Sequence, residues 1–321
     1  MHISKFLLMA GLIMASSVSA SGFPVTVDSC GTPITFDKPP RRAVIHDLNM
    51  AEIAFALHLQ PQIVGLTGIS GWYKTTSGFQ KNRGSIPELA PKNPSLETLI
   101  TAQPDFFFAG WNYGMKVGGD VTPDSLKKYN IKTLVLTESC IHIDKKRPRA
   151  SMDLLYGDTE KLGKIFGKAE EAGLLVSNWK SRISSLKQKT DRLRAARVFV
   201  YDSGEEKPFT SGKYGMPTAI IEAAGGRNVM DTLEESWTTT GWESVATAEP
   251  DFIILVDYQL NGENSTDNLQ RFLENHPLMK LTPAVQHHRY IRLRYEELTP
   301  GPANIDAIQR LSSALYPDVF S

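Results

Sequence analysis

Cysteine, an excess of either charge and long apolar runs are all scarce in this 321-residue sequence, and each scarcity excludes something. Lys and Arg total 35, as do Asp and Glu. Wholesale binding to nucleic acid, which shows as a clustered basic excess, is therefore not expected. The locally basic run DKKRPRA, Asp144 to Ala150, reads as a solvated loop rather than a phosphate-binding patch. Beyond the N-terminus, no apolar run approaches the ~20 residues that a transmembrane helix needs. Catalytic signatures are missing too: there is no G-x-S-x-G elbow, no Walker lysine and no H-E-x-x-H. AAGGRN, Ala223 to Asn228, follows a helix instead of opening one, so it reads as a C-cap turn and not as a phosphate cradle. An enzyme is not expected.

What is present begins with an export leader over residues 1–20. His2 and Lys5 form a positive n-region, Phe6 to Met14 an apolar core, and Val18-Ser19-Ala20 a small-residue cleavage site. No Cys stands at that site, so a lipid anchor is not expected. The reading is a soluble periplasmic protein of about 301 residues. Its two cysteines, Cys30 and Cys140, each follow a strand-like segment, and in an oxidising compartment such a pair tends to form one disulfide. That bridge would close a loop of ~110 residues and stabilise by roughly 4–5 kcal/mol in the chain-entropy model. The rival is a metal-thiolate or catalytic cysteine, for which no nearby His or Cys completes a pattern.

Short apolar strands alternate with amphipathic helices along both halves, implying α/β lobes with parallel sheets covered on both faces. In the first half, RAVIHD, QIVGLTG, DFFFAG and KTLVLTE read as strands, interleaved with the helices NMAEIAFALHL, SLETLITA and TPDSLKKYN. ARVFVYDS, DFIILVD and YIRLRYE are the strands of the second half, with MPTAIIEAAGG, WESVATAE and ANIDAIQRLSSALY as helices. Between them, residues 169–194 contain no proline and would span ~39 Å as one helix. The expected organisation is a first lobe over 21–168, a connecting helix over 169–194 and a second lobe over 195–321, with a ligand held between lobes whose opening is limited.

LETLITAQPDFFFAG, Leu96 to Gly110, nearly repeats as WESVATAEPDFIILV, Trp242 to Val256. Glu97 matches Glu243, and Pro104-Asp105-Phe106 matches Pro250-Asp251-Phe252. Together with PPRRAVIHDLNMAEIAFALHLQPQIVGLTG and KPFTSGKYGMPTAIIEAAGGRNV, the order and duplication of these segments resemble the helical-backbone substrate-binding proteins of ABC importers for ferric siderophores, haem and vitamin B12. The resemblance covers nearly the whole chain after the leader. It implies two Rossmann-like lobes joined by one long helix, no intrinsic cofactor, a monomer, and a membrane permease pair with cytoplasmic ATPases as partners. It also implies that Glu97 and Glu243 dock the two lobes onto the two permease halves, where such charges serve registry and encounter rate. The competing account is a capping box from Thr240 to Glu243, for which Pro94, three residues before Glu97, offers no counterpart.

Ligands of open α/β lobes sit beyond the carboxyl ends of the strands. Those ends carry Trp72 and Tyr73, then Trp111 and Tyr113, in the first lobe. Phe209, Trp237 and Tyr295 hold the matching places in the second. Resemblance to the family's vitamin B12-binding members places Trp111, Phe209 and Trp237 near stacking aromatics, although RGSIPELAPKN lacks an aromatic found there. Aromatic rings bury a flat chelate with little entropy loss, and Lys213 and Arg294 are candidates to neutralise an anionic ferric complex. The expected cargo is a chelated iron complex, a ferric siderophore, with a corrinoid or other planar cofactor as the alternative. Bare metal ion is the third reading. His46 and Asp47 form a possible ligand pair, but His58, His142, His276 and His287-His288 do not assemble around it, and His46 reads as a satisfied histidine.

Overall fold

The computed structural model describes residues 22–259 and 265–320; the leader expected over residues 1–20 lies outside the described residues. A hairpin of β1 (Val25–Ser29) and β2 (Thr32–Phe36) precedes a parallel sheet. Its strands are β3 (Ala43–His46), β4 (Ile63–Thr67), β5 (Glu88–Ala90), β6 (Phe106–Trp111), β7 (Gly114–Met115) and β8 (Lys132–Val135). They lie in the order β5-β4-β3-β6, with β8 also paired to β6 and β7 adding a short rung at its end. The second lobe has β9 (Ala196–Tyr201), β10 (Phe209–Ser211), β11 (Gly226–Asn228), β12 (Trp237–Thr239), β13 (Phe252–Asp257) and β14 (Tyr290–Arg294). Here β11-β9-β13-β14 form a parallel sheet, and β10 with β12 makes an antiparallel ribbon. This is the expected two-lobed α/β architecture.

Strand β6 shows why the sheets form. All six of its residues are buried, as a parallel strand covered on both faces requires. Phe106 and Phe108 join the main core with Ile45. Phe107, Ala109 and Trp111, one residue out of phase, pack on the opposite face with Val44 and Leu99.

The repeated Pro-Asp turn has a structural use. Asp105 accepts hydrogen bonds from the backbone of Arg41 (2.8 Å) and Arg42 (2.9 Å), just before β3. Asp251 accepts from the backbone of Arg197 at 2.9 Å, at the start of β9, and also pairs with its guanidinium. In each lobe the aspartate pins the neighbouring central strand. The ladders extend the repeat, because Ala43 pairs with Phe106 as Val198 pairs with Phe252. Asp47, after β3, is therefore the structural equivalent of Asp202, after β9.

One helix, Ala169–Thr190, connects the lobes and spans about 33 Å. It stops four residues short of the expected Arg194. The Thr190 hydroxyl turns back to the Leu186 and Lys187 carbonyls, Gly225 abuts Thr190, and the chain turns at Asp191. Cys30 and Cys140 form a disulfide with a Cα–Cα distance of 5.4 Å, tying the start of the chain to the turn after β8. Among the described residues, no helix is long and apolar enough to cross a membrane.

Candidate functional site

Each lobe turns the C-terminal ends of its central strands toward the other, and a cavity of about 300 Å³ lies there. Tyr113 enters it from the first lobe; Phe209, Trp237, Tyr258 and Tyr295 enter from the second. Phe209 and Trp237, on neighbouring strands of the ribbon, stack at 5.9 Å between ring centroids. Tyr73 lies flat against Tyr295 (4.7 Å) and Tyr258 (5.9 Å), an aromatic trio shared between lobes. Polar groups at the wall are Asn112, His142, Asp202 and Ser236.

Behind the rings sit three buried carboxylates, each accepting from a tyrosine hydroxyl. Glu138 accepts from Tyr113 at 2.8 Å and, across the lobe boundary, from the Met216 backbone N–H at 2.5 Å. Asp47 accepts from Tyr295 at 3.0 Å, also across the boundary. Asp202 accepts from Tyr258 at 2.5 Å and from Ser203 at 2.7 Å. Burial pushes Glu138 up to about 7 and Asp47 up to about 6, against the pull of their hydrogen bonds, and raises Asp202 as well. The Trp237 indole N–H is buried with no hydrogen-bond partner among the described residues. Asp47 holds this place at φ 69°, ψ 157°, a region normally left to glycine and costing of order 1–3 kcal/mol.

His46 is no open ligand. Its Nδ1 pairs with the Thr67 hydroxyl at 2.8 Å, and burial pushes it down to about 3. The ring lies against Gly68 and Gly114, both at positive φ, where an added Cβ would come within 2.2 and 2.7 Å of it. No group of three or more His, Cys, Asp or Glu suited to a metal ion occurs among the described residues.

Of the residues expected at the cleft, Tyr113, Phe209, Trp237 and Tyr295 converge on the cavity and Tyr73 supports it. Four others lie elsewhere. Trp111 falls on the far face of β6 by strand parity and lines a different cavity, of about 600 Å³, beside the β1–β2 hairpin. Asn112, at φ 65°, turns the chain so that it, and not Trp111, reaches the cleft. Trp72 is 40% exposed, under the Lys92 ammonium. Lys213 pairs with Glu234 at 3.5 Å, and Arg294 with Glu296 at 2.6 Å; neither lines the cavity. Asp202, Tyr258, His142 and Glu138 were missed. The match of VIHD to VYD along the repeat is the signal that would have found Asp202 from Asp47.

Glu97 and Glu243 are both exposed, and each is the second residue of its helix. The competing capping box at Thr240 does not form: Gly241 is the N-cap and makes no side-chain bond. Ser95 caps the other helix through the Thr98 N–H at 3.0 Å. Among the described residues neither glutamate has a hydrogen-bond or ion-pair partner, so capping accounts for neither.

A family model described as periplasmic binding protein matches residues 44–296. An uncharacterized ABC transporter substrate-binding lipoprotein of Bacillus subtilis (strain 168) is 24% identical over 309 residues, covering 93% of this chain and 87% of its own length. The crystal structure of a periplasmic binding protein from Veillonella parvula superposes with a TM-score of 0.78 at 25% identity, over 91% of this chain and 97% of that one. That of an ABC-type Fe3+-hydroxamate transport system from Saccharomonospora viridis gives 0.76 at 21% identity, over 91% and 99%.

Proposed function

Because the chain belongs to the periplasmic binding protein family, we propose that it is the substrate-binding component of an ABC importer and that its cargo is a chelated iron complex, a ferric siderophore. The observation that carries this reading is the convergence of Tyr113 from one lobe with Phe209, Trp237, Tyr258 and Tyr295 from the other on a single cavity. Rings from both sides can grip a flat, partly apolar chelate, while hydroxyl and amide groups at the wall orient it. The structural relative from Saccharomonospora viridis, described as an Fe3+-hydroxamate transport system, adds support.

Delivery would use a permease pair with cytoplasmic ATPases. Glu97 and Glu243, one exposed on each lobe at equivalent helix positions, would meet the two permease halves. The leader would place the protein in the periplasm. The test is tryptophan-fluorescence titration against ferric hydroxamates, ferric catecholates, ferric citrate, haem, cyanocobalamin and bare zinc and manganese, corrected for ligand absorbance. Saturable quenching by a ferric chelate supports the reading. Response to cyanocobalamin alone, or to bare metal alone, replaces it.

A further inference from the structure

The charge of the cargo can be read from what surrounds the cavity. Asp47, Glu138 and Asp202 are each more than nine-tenths buried. All three are satisfied by hydroxyl or backbone donors, and among the described residues none has a Lys or Arg partner. Buried carboxylates normally have a cation, a metal or a proton to offset the cost of leaving water. Among the described residues no Lys or Arg side chain lines the cavity. Lys213 and Arg294 are committed to Glu234 and Glu296. Among the described residues His142 is the one basic side chain at the wall, and burial together with nearby Lys145 lowers it, against the pull of Glu235. Lys145 itself pairs with Glu235 at 3.3 Å.

The arrangement is duplicated. Asp47 and Asp202 follow the matching strand of each lobe and each receives a phenol O–H, from Tyr295 and Tyr258, two rings of the same trio. A lone acid could be incidental packing. Two acids at equivalent positions of the two lobes bias one shared cavity against further negative charge, and Glu138, which holds its proton up to about pH 7, adds only part of a charge at neutral pH. An anionic chelate entering there would meet like charge in a poorly screened site, whereas a cationic one would supply the missing partner.

We propose that this cleft selects its cargo by charge, accepting ferric chelates of zero or positive net charge and rejecting anionic ones, and that Asp202, the acid lining the cavity itself, makes the distinction. The inference rests on the chelate reading above and narrows it to a hydroxamate-type complex, which leaves no residual negative charge on the ferric centre, against catecholate, citrate or haem carboxylate chemistry.

The test holds the metal core constant and varies only a remote charge. A linear ferric tris-hydroxamate with a terminal amine is compared with its acetylated form, which is neutral, and its succinylated form, which is anionic; a ferric tris-catecholate completes the set. Affinities come from fluorescence titration of the exported protein and of Asp202→Asn. Affinity is expected to fall by about tenfold for each step toward negative charge, with no binding of the tris-catecholate. In Asp202→Asn the amine and acetylated forms should bind within about twofold of each other. The succinylated form or the tris-catecholate binding as well as the amine form would overturn the charge rule yet leave the cleft standing. Silence toward the whole set would overturn the chelate reading and this inference together. An unchanged series in Asp202→Asn would remove Asp202 from the role. If that variant does not fold, Asp202→Ser decides: it removes the charge with a smaller polar side chain, so the amine and acetylated forms should again bind within about twofold of each other, and an unchanged series would remove Asp202 from the role.

Discussion

Glu138 is the clearest place to perturb the cleft without emptying it. Its carboxyl lies at the lobe boundary, accepting from Tyr113 and from the Met216 N–H, and burial lifts it from 4.5 to about 7. Between those values the folded chain retains a proton that the unfolded chain releases. Stability from this group is therefore complete below about pH 4.5 and is lost as pH rises through 7. Each pH unit of displacement corresponds to about 1.4 kcal/mol, so the loss by pH 8 is on the order of 3 kcal/mol. Asp47, raised from 3.8 to about 6, and Glu52, raised from 4.5 to about 8, act in the same direction. Glu138→Gln mimics the protonated form, since the amide oxygen can accept from Met216 while the amide nitrogen donates to a rotated Tyr113 hydroxyl. Urea denaturation at intervals from pH 4.5 to 8 measures the effect. The variant should match the parent near pH 4.5 and exceed it by about 3 kcal/mol at pH 8. An identical fall in both proteins would refute the reasoning, because the carboxyl would then be titrating as if solvated.

The remaining predictions concern cargo, docking and the staple. Trp237→Ala should weaken chelate binding by roughly 1–3 kcal/mol, measured by titration. Trp111→Ala should spare affinity but lower unfolding stability by about 3–5 kcal/mol, and a reversal of this pattern would move the site to the other cavity. Replacing Glu97 and Glu243 together should abolish uptake by cells while leaving affinity for the chelate unchanged; weakened binding would count against docking. Reducing Cys30–Cys140 should cost roughly 4–5 kcal/mol by denaturation with and without reductant, and coincident curves would show that the 110-residue loop is held by packing alone.

Much of the fold was legible because strands buried on both faces leave continuous apolar runs, such as FFFAG and FIILV, between amphipathic helices. The second-lobe aromatics were legible for a related reason: Phe209 and Trp237 stand where ribbon strands face the cleft. Trp111 was misplaced because one residue of strand parity decides which face a side chain takes, and the parity of β6 is visible only once its packing partners are known. The commitments of Arg294 and Lys213 depend on local ion pairs within their own lobe, formed with neighbours that composition cannot assign. The competing capping account at Thr240 was off by a single position, since Gly241 is the N-cap and the helix begins at Trp242.

The duplicated aspartates have a further consequence. Asp105 and Asp251 stand 146 residues apart and tether the same point of the same strand in two lobes. Sliding either strand by one residue would exchange its inward and outward faces, so each tether guards the alignment on which its half of the cavity depends. The chain thus contains its own replicate. One lesion, Asp to Asn, can be introduced in either copy against an otherwise identical background. The difference between the two outcomes would measure how unequally a once-repeated unit has come to share the work of gripping a single cargo.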